Sequence, residues 1–221
     1  MSNIKAALID MDGVLYDSMK YHTLAWYKTI SGLGISCSRD EFYLYEGMTG
    51  PETINLVYRR QYGKDCDEEQ IKRIYTHKSN LFRELGKREK MPGADILLEK
   101  LKTAGVRCIL VTGSSQTSLL DSIILDYPGF FNIGERVTGL DVMKGKPDPE
   151  PYLRGLELAG VNPDEAIVIE NAPLGIRSGK AAGIFTVAIT TGPIPRSAFE
   201  KEGADIIFSS MKEAAEKLTI I

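Results

Sequence analysis

The sequence begins with a short apolar run, and from about residue 92 onward it alternates between similar short apolar runs and longer amphipathic segments. This alternation constrains the fold more than any other feature. Continuous apolar runs of this length are typical of strands buried on both faces. Strands that alternate with helices predict an α/β fold, in which helices cover both faces of a parallel sheet. The apolar runs lie at residues 5–9, 106–111, 166–169 and 184–189, with a weaker one at 205–208.

The segments between these runs have the apolar spacing expected of helices. Several of them end in a glycine, at Gly105, Gly160 and Gly183, as helix C-termini commonly do. The predicted helices cover residues 95–103, 115–126, 149–159, 174–182 and 211–218.

The stretch between the first apolar run and Met91 breaks this alternation, because it contains helix-like segments and no comparable strand. We interpret it as an all-α insertion after the first strand, which a chain of 221 residues can accommodate beside one larger domain. The predicted division is a helical domain at 15–90 and a sheet domain at 1–14 and 91–221. The helix-like segments are 17–30, 39–45, 52–62 and 68–85.

Composition and charge exclude several classes of protein. The 27 basic and 30 acidic side chains give a net charge of −3, so we expect no nucleic-acid partner. No apolar run approaches the roughly 18 residues that a membrane span requires, and no export signal is visible. Cys37, Cys66 and Cys108 are too few and too widely spaced for a disulfide framework, so we expect a cytoplasmic protein. The oligomeric state stays open.

Polar residues follow the predicted strands at the points where those strands end. In an open parallel sheet the carboxyl ends of the strands share one edge, which is where ligands bind. We therefore expect two carboxylates, a hydroxyl, a lysine and a carboxylate–amide pair to lie together. The residues concerned are Asp10 and Asp12, Thr112-Gly113-Ser114, Lys146-Pro147, and Glu170-Asn171.

This set of side chains suits phosphoryl transfer. A carboxylate can attack phosphorus and divide a difficult reaction into two easier steps. A second carboxylate can protonate the leaving group and later deprotonate water. Mg²⁺ prefers oxygen ligands, and a hydroxyl, backbone N–H groups and a lysine can neutralise the phosphate oxygens.

In this order, Asp10-x-Asp12-Gly13-Val14, Thr112-Gly113-Ser114, Lys146-Pro147 and Glu170-Asn171 resemble the four motifs of the haloacid dehalogenase superfamily. The resemblance implies a Rossmann-like core with a helical cap inserted after the first strand. It further implies that Asp10 is the nucleophile and Asp12 the general acid and base. Thr112 and Lys146 would hold the phosphate, with Gly113 and Ser114 in the same substrate-binding loop.

The resemblance also implies a Mg²⁺ cofactor. Its ligands would be the Asp10 carboxylate, the Asp12 backbone carbonyl and the Glu170-Asn171 pair. The family usually has an aspartate where this chain has Asn171, which removes one negative charge. We therefore expect Glu170 to contribute more to metal binding.

Within the cap, His22 and Trp26 resemble the β-phosphoglucomutase branch of this superfamily. His22 is equally consistent with a packed side chain in a hinge. That branch has a lysine where this chain has Glu46, and the change favours hydrolysis over mutase chemistry. In motif detail the turn at Glu46 resembles haloacid dehalogenase-type inorganic pyrophosphatases, and Lys78 is a candidate cation for the second phosphate.

The sequence therefore predicts a Mg²⁺-dependent phosphohydrolase that acts on a small phosphorylated substrate through an aspartyl phosphate. Inorganic pyrophosphate is the preferred substrate and a small sugar phosphate is the next. A β-phosphoglucomutase is the alternative reaction class. A non-catalytic binding protein on the same scaffold is a further alternative, which the presence of both Asp10 and Asp12 disfavours.

Overall fold

A computed structural model describes residues 4–86, 89–115, 117–132 and 134–219. Its centre is a six-stranded parallel sheet with the strand order β3-β2-β1-β4-β5-β6. The first strand of the chain therefore lies in the middle of the sheet, between β2 and β4. The strands are β1 (Ala6–Ile9), β2 (Arg107–Val111), β3 (Arg136–Val137), β4 (Ala166–Glu170), β5 (Phe185–Ile189) and β6 (Ile206–Phe208).

Helices cover both faces of this sheet, as the alternation predicts. Side chains alternate along a strand, so Ala7 and Ile9 of β1 join one apolar cluster and Leu8 joins the other. The described helices are α1 (Met19–Gly32), α2 (Glu41–Leu44), α3 (Gly50–Tyr62), α4 (Glu68–Leu85), α5 (Ala94–Thr103), α6 (Thr117–Asp126), α7 (Glu150–Ala159), α8 (Pro173–Ala181), α9 (Arg196–Lys201) and α10 (Met211–Lys217). None of them has the length and apolar character needed to cross a membrane.

Two elements of the structure were not predicted from the sequence, because they are too short to show a repeating pattern of apolar residues. Strand β3 has two residues and pairs with the edge of β2, and helix α9 has six residues. The helix predicted at 39–45 is limited to α2, and the one predicted at 17–30 begins and ends two residues later, as α1. Residue 116, within the helix predicted at 115–126, lies outside the described residues.

Helices α1–α4 lie between β1 and α5 in the chain and have an apolar cluster of their own. Ile30, Phe42, Ile54 and Ile74, one from each helix, are buried in this cluster. The fold is therefore an α/β Rossmann-like sheet with an inserted set of helices.

The two chain segments that join the helices to the sheet lie side by side. The amide of Asp17 donates to the carbonyl of Glu89 at 2.9 Å, and the amide of Met91 donates to the carbonyl of Leu15 at 2.8 Å. We propose these paired segments, called the neck below, as the boundary between a helical domain at 15–90 and a sheet domain at 1–14 and 91–221. Separate expression of the helical segment would test this division.

Candidate active site

The register of the sheet brings the predicted site residues to one edge. Ile9 of β1 pairs with Leu110 of β2 and with Ile169 of β4. The residues that follow, Asp10 and Glu170, therefore end neighbouring strands in the middle of the sheet. Both side chains are buried.

Lys146 bridges these two carboxylates. Its Nζ lies 2.6 Å from Oδ1 of Asp10, 2.5 Å from Oε1 of Glu170 and 3.1 Å from the carbonyl oxygen of Val111. Burial and the Glu170 charge raise the pKa of Asp10 to about 8, although Lys146 opposes the change. Burial alone would lower the pKa of Lys146, but the two carboxylates raise it. The lysine therefore keeps its charge, and a further cation beside Asp10 would favour the ionised carboxylate.

Glu170 is fully engaged by hydrogen-bond donors. Besides Lys146, Oε1 accepts from the hydroxyl of Tyr152 at 2.8 Å, and Oε2 accepts from the amides of Asn171 and Ala172 at 3.0 and 3.1 Å. A carboxylate has about four acceptor positions, so these four donors fix its orientation. The role of metal ligand predicted for Glu170 stays a prediction. The observed hydrogen bonds support a different role, in which Glu170 holds Lys146 in place.

Asp12 is held by residues from the inserted helices. The Ser18 hydroxyl lies 2.5 Å from Oδ1 of Asp12, and Nε2 of His22 lies 3.1 Å from the same oxygen. On the other side of the ring, Nδ1 of His22 lies 2.7 Å from Nζ of Lys78. Burial opposes ionisation of Asp12, but the contacts with His22 and Ser18 outweigh it and lower its pKa to about 2. Burial lowers the pKa of Lys78 to about 8.

Glu46 reaches across from the turn between α2 and α3 to the sheet edge. The side-chain NH₂ group of Asn171 donates to Oε1 of Glu46 at 2.9 Å. Burial and the nearby Asp10 charge raise the pKa of Glu46 well above its usual value, and the Asn171 hydrogen bond offsets this only in part. The structure therefore places a carboxylate from the helices directly beside the carboxylates of the sheet.

A cavity of about 70 Å³ lies between the two parts of the molecule. Asp10, Asp12 and the 112–114 loop line its sheet side, where the Ser114 amide donates to the Thr112 hydroxyl at 3.1 Å. The aromatic rings of Trp26 and Tyr75 form part of the opposite wall. The cavity therefore has an anionic end and an aromatic end, and Lys78 is the one amine among the described residues that line it.

The structure brings the predicted site residues into one region, while their individual roles stay predictions. These residues are Asp10, Asp12, His22, Glu46, Lys78, Thr112, Gly113, Ser114, Lys146, Glu170 and Asn171. Sequence reasoning missed Ser18, Tyr152 and Glu52. For Glu52 a signal was present, since Thr49-x-x-Glu52 has the spacing of a helix capping box.

The site also offers oxygen atoms for a hard cation. Oδ1 of Asn171 is buried and has no hydrogen-bond partner, which is costly for an amide oxygen unless a ligand satisfies it. The described residues contain no group of three or more His, Cys, Asp or Glu side chains placed to bind a metal. The Asp10 carboxylate and the unpartnered Asn171 oxygen nevertheless fit Mg²⁺, which takes few protein oxygens and keeps several waters.

Comparison with known proteins identifies the family. The family model of the haloacid dehalogenase-like hydrolases matches residues 4–183. A phosphorylated carbohydrates phosphatase of Thermotoga maritima is 31% identical over 82% of this chain and 82% of its own, and a β-phosphoglucomutase of Bacillus subtilis is 29% identical over 86% and 84%. A solved Bacteroides vulgatus structure, with a provisional β-phosphoglucomutase name, has a TM-score of 0.94 and 47% identity, and the match covers 98% of this chain and 88% of that one. The chain therefore belongs to the haloacid dehalogenase-like hydrolases.

Proposed function

We propose that the chain is a Mg²⁺-dependent phosphohydrolase that forms an aspartyl phosphate on Asp10 and prefers inorganic pyrophosphate. The observation that carries the substrate choice is the 2.9 Å contact between Asn171 and Glu46. It supports this choice because the helices bring a carboxylate to the sheet edge, and a carboxylate there disfavours retention of a sugar bisphosphate, which needs positive charge at both ends. Family membership supports the broader assignment as a phosphatase.

The proposed reaction has two steps that balance in protons. In the first, an Asp10 oxygen attacks phosphorus and Asp12 donates a proton to the departing oxygen; because its pKa is about 2 without substrate, Asp12 must first take up that proton from solvent as substrate binds. In the second, Asp12 takes a proton from water, which attacks the same phosphorus and releases orthophosphate. Ser18 and His22 hold the Asp12 carboxylate for both transfers. Lys146 provides positive charge beside the reacting oxygens.

The ligands proposed for Mg²⁺ are the Asp10 carboxylate, the Asp12 backbone carbonyl and Oδ1 of Asn171. The unpartnered Asn171 oxygen supports this set. Bound there, Mg²⁺ would neutralise negative charge on the transferring phosphoryl group. The positions of Asp10 and Asp12 are set by their contacts with Lys146, Ser18 and His22, without the metal.

The cavity itself supports a small substrate. Its volume of about 70 Å³ is well below the roughly 300–1,000 Å³ of sites that take drug-sized ligands. The ammonium of Lys78 is available to a second phosphate, while the neighbouring rings of Trp26 and Tyr75 offer aromatic faces towards the cap end. The small volume and the Lys78 ammonium suit pyrophosphate, whereas the aromatic faces, which are negative, do not attract a second phosphate.

The comparisons favour a second candidate, a small sugar-phosphate phosphatase, because named relatives act on phosphorylated carbohydrates. A β-phosphoglucomutase is the third candidate, and it shares its name with two of the similar proteins. A mutase must retain a bisphosphate during turnover, which Glu46 opposes. A non-catalytic binding protein is disfavoured by the arrangement of Asp10 and Asp12.

Orthophosphate release distinguishes these candidates. Pyrophosphate, several hexose phosphates and phosphoglycolate are compared with Mg²⁺ present, and Asp10→Asn serves as the blank. Pyrophosphate should give the highest kcat/KM, and the Glu46→Ala variant should lose this preference. Equal or faster release from a sugar phosphate would refute the pyrophosphate assignment. Conversion of glucose 1-phosphate to the 6-phosphate without net phosphate release would identify a mutase.

A further inference from the structure

Glu52 makes a further polar contact between the inserted helices and the sheet domain, in addition to those of Ser18, His22 and Glu46. It lies in the first turn of α3, and both of its carboxylate oxygens accept from the amide of Gly145, at 3.1 and 3.2 Å. Gly145 directly precedes Lys146 in the chain. This contact is separate from the one between Glu46 and Asn171.

The two oxygens of Glu52 share the Gly145 amide, but among the described residues only Oε2 has further partners. Oε2 accepts from the amide and the hydroxyl of Thr49, at 2.9 and 2.7 Å, and so completes the capping box that begins α3. The sole described partner of Oε1 is the Gly145 amide. One carboxylate therefore ties the start of a helix to the loop that carries Lys146.

Backbone packing around this contact is unusually close. A Cβ atom on Gly145 would lie 2.9 Å from the backbone nitrogen of Thr49, and one on Gly113 would lie 2.8 Å from the carbonyl oxygen of Gly47. Real Cβ atoms do not make such short contacts, so side chains at these two positions would hold the two parts of the molecule apart. The Glu52 contact therefore forms only when the helices are fully seated on the sheet.

We propose that Glu52 is a positioning residue that couples seating of the helices to the placement of Lys146. The inference rests on the proposed phosphohydrolase function. When the helices are seated, the Glu52 carboxylate restrains the peptide that leads into Lys146. The lysine then holds its bridge between Asp10 and Glu170. When the helices move away, the Gly145 amide loses its acceptor and this restraint is released.

Helix α4 provides a matched control. It begins with an equivalent capping box, in which Asp67 and Gln70 take the places of Thr49 and Glu52. Gln70 has hydrogen bonds to Asp67 and none to the sheet domain among the described residues. Glu52→Ala removes a capping box and the contact to Gly145, whereas Gln70→Ala removes a capping box alone.

The first measurement is hydrogen exchange of the Gly145 amide by ¹⁵N NMR, in protein without metal or substrate. We expect slow exchange in the wild type and in Gln70→Ala, and exchange at least about tenfold faster in Glu52→Ala. Glu52→Gln is a second variant that retains the capping box, since Gln70 fills the same role in α4. It too should exchange faster, because an amide that caps α3 turns its NH₂ group towards Gly145.

The second measurement is steady-state hydrolysis of the best phosphate substrate. We expect kcat of Glu52→Ala to fall by about ten- to a hundredfold, as for loss of a hydrogen bond to a charged group, with a smaller change in KM. Gln70→Ala should keep the wild-type kcat, although its thermal unfolding midpoint also falls because a capping box is lost. Wild-type kcat in both Glu52 variants, or an equal loss in Gln70→Ala, would overturn the proposal.

The exchange measurement also separates this inference from the proposed function. If the wild type hydrolyses no phosphate substrate, the proposed function fails while Gly145 protection still reports whether the contact exists. Fast Gly145 exchange in the wild type would overturn the Glu52 inference and leave the hydrolase assignment untouched.

Discussion

Nζ of Lys78 lies 2.7 Å from Nδ1 of His22, and this contact determines which ring nitrogen carries the proton. An ammonium group can only donate, so Nδ1 accepts and the ring proton lies on Nε2. Nε2 in turn donates to Oδ1 of Asp12 at 3.1 Å. Burial and the Lys78 charge lower the pKa of His22, which keeps the ring in this neutral form. A directed chain of hydrogen bonds therefore runs from α4 to the proposed general base.

Lys78→Met tests the role proposed for this lysine towards a second phosphate. We expect KM for pyrophosphate to rise by about ten- to a hundredfold at pH 7, because a charged donor is lost. The pKa of Lys78 is about 8, so its charge is present below that pH and is lost above it. Wild-type KM should therefore rise as pH increases from 7 to 9, and the variant should show no such rise.

Lys72→Met is the control for that experiment, because Lys72 is an exposed residue of the same helix. Its KM should match the wild type at every pH. A Lys78→Met enzyme with unchanged KM would remove Lys78 from substrate binding.

Glu46→Gln tests the pH dependence of closure. The pKa of Glu46 is raised in the closed form, so this form binds a proton that an open form releases. In metal-free protein, low pH therefore favours the closed form, in which the helices carrying Glu46 lie against the sheet edge. This preference weakens as pH rises above the ordinary pKa of a glutamate towards the raised pKa of Glu46. Trp26, the one tryptophan of the chain, lines the cavity, and its fluorescence should report opening between pH 5 and pH 8.

The Glu46→Gln variant should remove most of this fluorescence change, because an amide carries no charge at either pH. Glu69→Gln, an exposed change in the first turn of α4, should retain it. An identical pH profile in Glu46→Gln and the wild type would contradict the prediction.

Asn171→Asp tests the metal site by restoring the charge that the family usually carries there. We expect Mg²⁺ to bind on the order of tenfold more tightly by calorimetry, since a second charged oxygen ligand is added. Without Mg²⁺, the new carboxylate would repel Glu46, which has lost its 2.9 Å donor. The metal-free variant should therefore open, with a larger radius of gyration in X-ray scattering.

The double variant Asn171→Asp, Glu46→Gln should close again, because the glutamine can donate to the new aspartate. Chelation of Mg²⁺ should abolish phosphate release in all of these proteins. Weaker Mg²⁺ binding by Asn171→Asp would argue against residue 171 as a ligand.

Lys146→Met tests the buried bridge between Asp10 and Glu170. Removing one partner of a buried ion pair costs about 3–5 kcal/mol, so the free energy of unfolding should fall by that amount at pH 9.5. The deficit should be larger at pH 9.5 than at pH 7, because Asp10, with a pKa of about 8 beside Lys146 and a higher pKa without it, is neutral in both proteins at the lower pH. Urea unfolding of the wild type and the variant at the two pH values measures the loss of unfolding free energy and its change with pH.

Lys144→Met is the matched control, since Lys144 is exposed and lies two residues away. Its free energy of unfolding should change by less than about 0.5 kcal/mol. A deficit in Lys146→Met that is independent of pH would show that lost packing, and not unpaired charge, is the cause.

Much of the fold and of the site follows from local sequence. The central strands are continuous apolar runs, and their ends place Asp10, Thr112 and Glu170 at one edge through the rules of parallel sheets. The chain Lys78–His22–Asp12 was not predictable in the same way, because its members come from α4, α1 and the loop after β1 and meet through helix packing alone. Tyr152 was missed for the same reason, since only the packing of α7 shows that its hydroxyl reaches Glu170.

The paired neck has a consequence for how such a protein can change. Because the chain enters and leaves the helical part through two segments joined by hydrogen bonds, at Asp17–Glu89 and Leu15–Met91, the two ends of the insertion are neighbours. A different set of helices with the same end separation can occupy this position without altering β1 or α5. The scaffold thus permits exchange of the helical part as a unit, while the sheet edge that carries Asp10 and Glu170 is inherited unchanged.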